Sequence, residues 1–351
     1  MIFPIFSYTF QIEAETCVSA SKSFMRFFMS NSIGLYIHIP FCKHKCPYCD
    51  FFSGNADENA FDNYVIELKD KIKYWSEKTK RDVATVYFGG GTPTTLSAEQ
   101  LDTVLGTVNK SFDMSTCREF TVEAGRPDTI DIAKLLALKE NKVDRISINP
   151  QTVNDEVLKT IGRKHTAQQF FEAFELARKC GFDNINTDLI AGLPTDTPES
   201  FKNSLDSIVR LKAECITVHT LCMKRASRLT TEGVTLDLQQ ARDAREMLAY
   251  TQNILGQNEY IPYYMYRQSR MVGNLENVGW SKKGFESLYN VYVMDETHTI
   301  LACGSGGVTK LKRNNPDYLE RIFNFKYPYE YIDRFDELIQ RKSGIMQFYG
   351  Q

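Results

Sequence analysis

Cys42, Cys46 and Cys49 crowd into eight positions of the run Tyr36-Ile37-His38-Ile39-Pro40-Phe41-Cys42-Lys43-His44-Lys45-Cys46-Pro47-Tyr48-Cys49. Spacings of four and three residues let three thiolates face one centre from a single short loop. Thiolates favour iron–sulfur clusters and zinc. A structural zinc wants a fourth ligand, which His38 or His44 could supply as a Cys3His set. Zinc sites, however, usually pair their ligands in two arms, and this sequence offers no second arm. Three thiolates on a four-iron cube leave one iron open, and an open metal position is where a small ligand binds and reacts.

The remaining cysteines, Cys17, Cys117, Cys180, Cys215, Cys222 and Cys303, are scattered. That usage suits a metal site in a reducing cytoplasm better than a disulfide framework. The 351 residues, 42% of them hydrophobic, suffice for a packed core. A net charge of −2 gives no global attraction to nucleic acid or to an anionic membrane. No run of about 18 apolar residues is long enough to span a bilayer. The opening MIFPIFSYTF lacks a basic start and a cleavage site. Residues 1–33 are expected to be an extension, with a natural beginning near Met25 or Met29, and the first 28 to be dispensable.

Strand-like and helix-like runs alternate behind the cysteines. Leu35–Ile39, Val83–Phe88, Phe120–Glu123, Val143–Ile148, Ile185–Ile190 and Cys215–Leu221 read as strands. Between them, Phe61 to Trp75, Leu101 to Val108, Ile132–Leu138 and Phe170 to Ala177 carry helical spacing. Ser97 with Gln100 forms a capping box, and Thr197-Pro198 starts another helix. Six βα units over 34–221 predict a parallel sheet, and the unusual residues sit after the strands. This favours a partial (β/α)6 barrel with its site at the carboxyl ends. Residues 222–351 read as a smaller α+β region on the substrate side. It holds a helix over Asp237–Gly256, the tyrosine-rich Pro262–Gln268, a hairpin of Leu288–Met294 with Thr299–Ala302, and a closing helix Tyr329–Lys342.

C-x3-C-x2-C with an aromatic before the last cysteine, after the first strand of such a series, resembles the radical S-adenosylmethionine (SAM) superfamily. The resemblance implies a 4Fe–4S cluster whose open iron chelates the amino and carboxylate groups of SAM. One electron then gives methionine and a 5′-deoxyadenosyl radical. Gly89-Gly90-Gly91-Thr92-Pro93 resembles the superfamily's loop for the SAM amino group, and Glu123 is placed to accept from that ammonium. Gln151, Arg163 and Asp188 follow or end later strands, Arg163 as a partner for the SAM carboxylate and Asp188 for ribose hydroxyls.

YIHIPFCKHKCPYCDFF, YFGGGTPTTL, TVEAGRPDTI, RISINPQTVNDEVLKTIGRKHT, NINTDLIAGLPTDTPESF, TVHTLCMKRASRL, YYMYRQ and NLENVGW together resemble the oxygen-independent coproporphyrinogen III oxidase (coproporphyrinogen dehydrogenase) family, in its second-type branch. They run from about Gly34 to Gly307. In place of that family's E-A-x-P-G the chain has Glu123-Ala-Gly-Arg-Pro127, and it has 41 residues before Cys42, where members of this branch often have more. By this resemblance Tyr36 and Tyr48 contact SAM, and two propionates of a tetrapyrrole are oxidatively decarboxylated to vinyls. A one-electron reductant protein is the implied partner. The wider family also holds heme carriers and heme-opening methyltransferases, so heme handling is the alternative, with His219 the histidine to watch. Lys224, Arg225, Arg228 and Arg267 are the expected cations for the propionates.

Overall fold

A computed structural model of the chain describes residues 32–49, 58–224, 227–232, 237–269, 271–314 and 317–348. The amino-terminal extension expected over residues 1–33 lies almost wholly outside them, as does Arg225. The elements run β1 (Ile33–Ile39), α1 (Glu58–Thr79), β2 (Val83–Gly90), α2 (Ala98–Ser111), β3 (Glu119–Glu123), α3 (Ile132–Glu140), β4 (Arg145–Ser147), α4 (Asp155–Thr160), α5 (Ala167–Lys179), β5 (Ile185–Ala191), α6 (Pro198–Arg210) and β6 (Cys215–Thr220). There follow α7 (Arg228–Thr231), α8 (Leu238–Gln257), β7 (Ile261–Tyr266), β8 (Asn277–Ser281), α9 (Leu288–Met294), β9 (Ile300–Cys303), β10 (Val308–Asn314), β11 (Asp317–Phe323), α10 (Pro328–Asp333), α11 (Phe335–Arg341) and α12 (Ser343–Phe348).

Strands β1 to β6 pair in parallel and in chain order, with helices returning the chain between them. This is the expected partial (β/α)6 barrel. Each strand alternates with period 2. Leu35, Ile37, Val86, Phe88, Phe120, Val122, Ile146, Ile148, Ile185, Leu189, Ile216 and Val218 pack under the helices in the main core. Each of these buried side chains contributes about 1.5–3 kcal/mol of transfer free energy. Most of the alternate positions, among them Tyr36, Tyr87, Glu123, Ser147, Asn186, Asp188 and Thr217, are polar or aromatic and line the concave face. Capping helps fix the helices: Ser97 with Gln100, Thr166 with Gln169 and Asp237 with Gln240 each form a reciprocal box.

The later strands do not form a separate sheet. β8 pairs antiparallel with β6 and carries β7, while β9 joins β1 in parallel and carries β10 and β11. The result is one eleven-stranded sheet with β11 and β7 at its edges. Two sequence expectations change here. Leu288–Met294 is a helix, not half a hairpin: Ser287 caps it through the Asn290 amide, and its aromatic, β-branched composition imitates a strand. The closing helix is broken at Arg334, whose backbone (φ −114, ψ 45) is not helical, so Tyr329–Lys342 spans α10 and α11. Among the described residues no helix is long and apolar enough to cross a membrane.

Candidate active site

The cysteine loop leaves β1 and folds over the carboxyl end of the sheet. It is tied to the glycine loop after β2: Gly91 N donates to Ile39 O (2.8 Å) and Thr92 N to Phe41 O (2.7 Å). Gly91 must be glycine, because a Cβ there would lie 2.3 Å from Phe41 O. Gly90 has φ +116 and lies against the His38 ring. Cys42 Sγ is 3.4 Å from the Thr92 hydroxyl, and Cys49 N donates to Cys46 O at 3.1 Å.

Arg126 and Arg163 brace this loop from behind. The guanidinium of Arg126 donates through Nη2 to Cys46 Sγ (3.1 Å) and to His44 O. Arg163 donates to the Tyr48 hydroxyl (3.1 and 3.2 Å) and to Gly125 O (3.1 Å). Arg163 and Tyr48 therefore hold each other, and Arg163 is already engaged by protein. A small apolar cluster that includes Val157, Leu158, Ile161 and Leu229 packs against Tyr48, and Leu229 N donates to Pro47 O (3.0 Å).

The concave face beneath is a polar lining. Tyr36, Tyr87 and Tyr289 stack, with Tyr87 and Tyr289 centroids 4.4 Å apart. The Tyr87 hydroxyl donates to Glu123 Oε1 at 2.7 Å. Burial, offset in part by that bond, raises the Glu123 carboxyl from its ordinary range to about 7. Tyr36 OH meets His38 Nδ1 at 2.9 Å, and burial lowers the pKa of His38 to about 4, keeping the ring neutral. From β4 to β6 a ladder runs Asn149, Ser147, Asn186, Thr217, with Asn186 also donating to Asp188 Oδ1 (2.7 Å). His219 Nε2 lies 3.5 Å from Asp188 Oδ2, so the histidine considered as a heme ligand already has a carboxylate neighbour. Gln151 sits at φ +71 with its amide on Asp188 O and its carbonyl on Ile190 N. Such strained backbone is characteristic of functional loops. The floor is closed by Glu119, bound to Ser287 and Thr121, and by Arg145, which donates to Asn184, Cys215 Sγ and Phe285 O.

The donor set fits an iron–sulfur cluster. Three thiols lie on one loop, with the orphaned, buried Nη1 of Arg126 behind them. Among the described residues no three His, Cys, Asp or Glu side chains converge on a single-ion geometry. A cube places each thiolate on its own iron, so its ligands need not converge on one point.

The expected propionate cations are more scattered. Lys224 and Arg228 lie in the turn beside the cysteine loop, but Arg228 is exposed and paired with Glu232 (2.7 Å). Arg267 is paired with Glu276. Arg225 lies outside the described residues. Strand-end reasoning missed Arg126, Tyr87, Tyr289 and the Asn149–Ser147–Asn186–Thr217 ladder. For all but Arg126 and Tyr289 the signal was present, as polar residues at alternate positions: Tyr87 in β2, Ser147 and Asn149 in and just after β4, Asn186 in β5 and Thr217 in β6.

The fold and site define a radical SAM protein. The Radical SAM superfamily model matches residues 36–208. The chain belongs to this superfamily, within the group that contains oxygen-independent coproporphyrinogen III oxidases, their HemZ-type relatives and HemW proteins. It is 39% identical over 325 residues to the oxygen-independent coproporphyrinogen-III oxidase-like protein HemZ of Bacillus subtilis, covering 91% of this chain and 65% of that one. It thus spans just under two thirds of that relative's length. It is 35% identical over 290 residues to the heme chaperone HemW of Lactococcus lactis, covering 80% of this chain and 71% of that one. The coproporphyrinogen III oxidase HemN of Escherichia coli has the same fold, with a TM-score of 0.71 and 21% identity over 92% of this chain and 79% of that one.

Proposed function

We propose that Cys42, Cys46 and Cys49 hold a 4Fe–4S cluster and that the glycine loop, Glu123 and Asp188 bind SAM above the polar face. Bound there, such a cluster would supply one-electron reductive cleavage of SAM. In this reading Glu123 receives the ammonium of SAM, Asp188 the ribose hydroxyls, and Tyr36 and Tyr48 contact the cofactor. Gln151 orders Asp188, and Arg163 acts through Tyr48. The observation that carries the reading is the joining of the cysteine and glycine loops over a face lined by Tyr36, Tyr87, Glu123 and Asp188.

The substrate reading is coproporphyrinogen III. With cluster and SAM held there, the site would supply removal of one hydrogen atom from a propionate β-carbon, so that loss of carbon dioxide and of one electron to an acceptor would leave a vinyl group. Two such rounds give protoporphyrinogen IX. Lys224, Arg225, Arg228 and Arg267 bind the carboxylates, Arg228 and Arg267 by exchanging Glu232 and Glu276 for substrate. A one-electron reductant protein feeds the cluster, and the chain works in the cytoplasm. The second reading, heme handling, is favoured by the heme chaperones among the relatives. Anaerobic incubation of reconstituted protein with SAM, reductant and coproporphyrinogen III separates the two. The divinyl product supports decarboxylation. Its absence, with intact SAM cleavage and stable heme binding, overturns it in favour of heme handling. On the first reading Arg225→Glu lowers turnover at least about tenfold while SAM cleavage without substrate persists.

A further inference from the structure

We infer that Arg126 sets the reduction potential of the cluster through its contact with Cys46, acting as a positioning and charge-supplying residue behind that ligand. Arg126 is 3% exposed and lies between β3 and the turn Pro127–Thr129. Its Nη2 is 3.1 Å from Cys46 Sγ, while its Nη1 is buried with no hydrogen-bond partner. A buried guanidinium touching a thiolate ligand stabilises the more negative, reduced form of a cluster in two ways. It donates a charge-assisted hydrogen bond to sulfur, and it adds a positive charge in a medium of low dielectric. Hydrogen bonds to the sulfurs and local net charge are among the terms that place cluster potentials.

The surrounding charges point the same way. Arg163 stands behind Tyr48, two residues from Cys46, and Lys43 and Lys45 flank the ligands in the loop itself. The nearby anion is Asp128. Its Oδ2 lies 3.9 Å from Lys43 Nζ, and its Oδ1 is buried with no hydrogen-bond partner. Asp128 sits two positions beyond Arg126, on the turn that Arg126 begins. The loop is therefore held by cations with one incompletely compensated carboxylate beside them. Removing the cation and removing the anion should move the potential in opposite directions. A residue that merely braced the loop through His44 O would not produce that pair of signs.

The inference rests on the cluster assignment above, and the test keeps the two apart. Full-length protein, Arg126→Gln and Asp128→Asn are reconstituted anaerobically, and iron and acid-labile sulfide are counted. The cluster is then titrated potentiometrically with its paramagnetic resonance as the readout. Arg126→Gln is expected to shift the one-electron equilibrium at least tenfold toward the oxidised cluster, about 59 mV lower. Asp128→Asn is expected to shift it toward the reduced cluster. A potential in Arg126→Gln within about threefold of wild type, on clusters that do load, overturns the inference. Should that variant load no cluster, Asp128→Asn decides: an unchanged or lowered potential overturns it, and a raised one supports it. A wild-type chain that takes up no iron and sulfide refutes the cluster reading instead.

Discussion

Glu123 concentrates the site's electrostatics in one side chain. Its carboxyl is enclosed by Tyr87, Tyr36 and the Gly89 backbone, and burial lifts its pKa to about 7. A carboxyl raised on folding contributes stability below its unfolded pKa, and that contribution is lost as pH climbs through the folded value. Glu123→Gln should therefore stabilise the cofactor-free chain at pH 8, by up to about 3 kcal/mol, and change little at pH 5. Thermal or denaturant unfolding at the two pH values checks this, and no gain at pH 8 contradicts it. An ammonium bound there favours the ionised carboxylate, so wild-type affinity for SAM should rise between pH 6 and 8 and lose that slope in Glu123→Gln. Asp188→Ala, which removes one charged partner, should weaken SAM binding by about 10–100-fold in equilibrium measurements. The position of Glu123 was legible because it ends β3, whereas Asp188 lies in the middle of β5 and stood out only as the one acid of that strand. Arg126 was not, since nothing in a linear sequence reports that the residue three after Glu123 turns back onto Cys46.

The loops after β1 and β2 behave as one element, since each supplies hydrogen-bond partners to the other. Gly91→Ala drives a Cβ into Phe41 O and should lower iron incorporation by more than about half, with stability reduced by about 1–3 kcal/mol. Gly256→Ala, where nothing lies within 4 Å in an exposed helix, should instead be neutral or stabilise by up to about 1 kcal/mol. Iron counting beside an unfolding curve separates the two, and equal behaviour would refute the packing argument. The βα alternation was readable in the sequence because apolar runs of four to eight residues punctuated by glycine and proline leave little choice of element. Leu288–Met294 was not readable, because seven residues rich in tyrosine and valine fit either period. Tertiary contacts decide there: Ser287 is held by Glu119, which fixes the helix start against the floor of the polar face.

At the scale of the molecule, the carboxyl-terminal third completes the sheet that carries the site. β9 pairs along β1 from Gly34 to Ile37, and Gly304 presses so close to His38 O that a Cβ would lie 2.2 Å away. The Tyr64 hydroxyl ties the two together, donating to His38 O and accepting from Ser305 N, both at 2.9 Å. A chain ending at residue 221 should therefore lack cooperative unfolding, because β1 and β6 lose their outer partners. A sharp thermal transition for that fragment would contradict this. The parallel order of β1 to β6 was legible from the sequence. The joining of later strands to both of its edges was not, because pairing between segments well separated in the chain, Gly34 with Ile300 and Val218 with Val278, leaves no local periodicity. The central claim is that the three loop cysteines support SAM cleavage at this mouth. Its most direct test is 5′-deoxyadenosine formation by anaerobically reconstituted wild type and Cys46→Ala, with cluster content measured in both. The account predicts nucleoside from the wild type and none from the variant, whose cluster is under-ligated. Undiminished cluster content and 5′-deoxyadenosine formation in Cys46→Ala would contradict it.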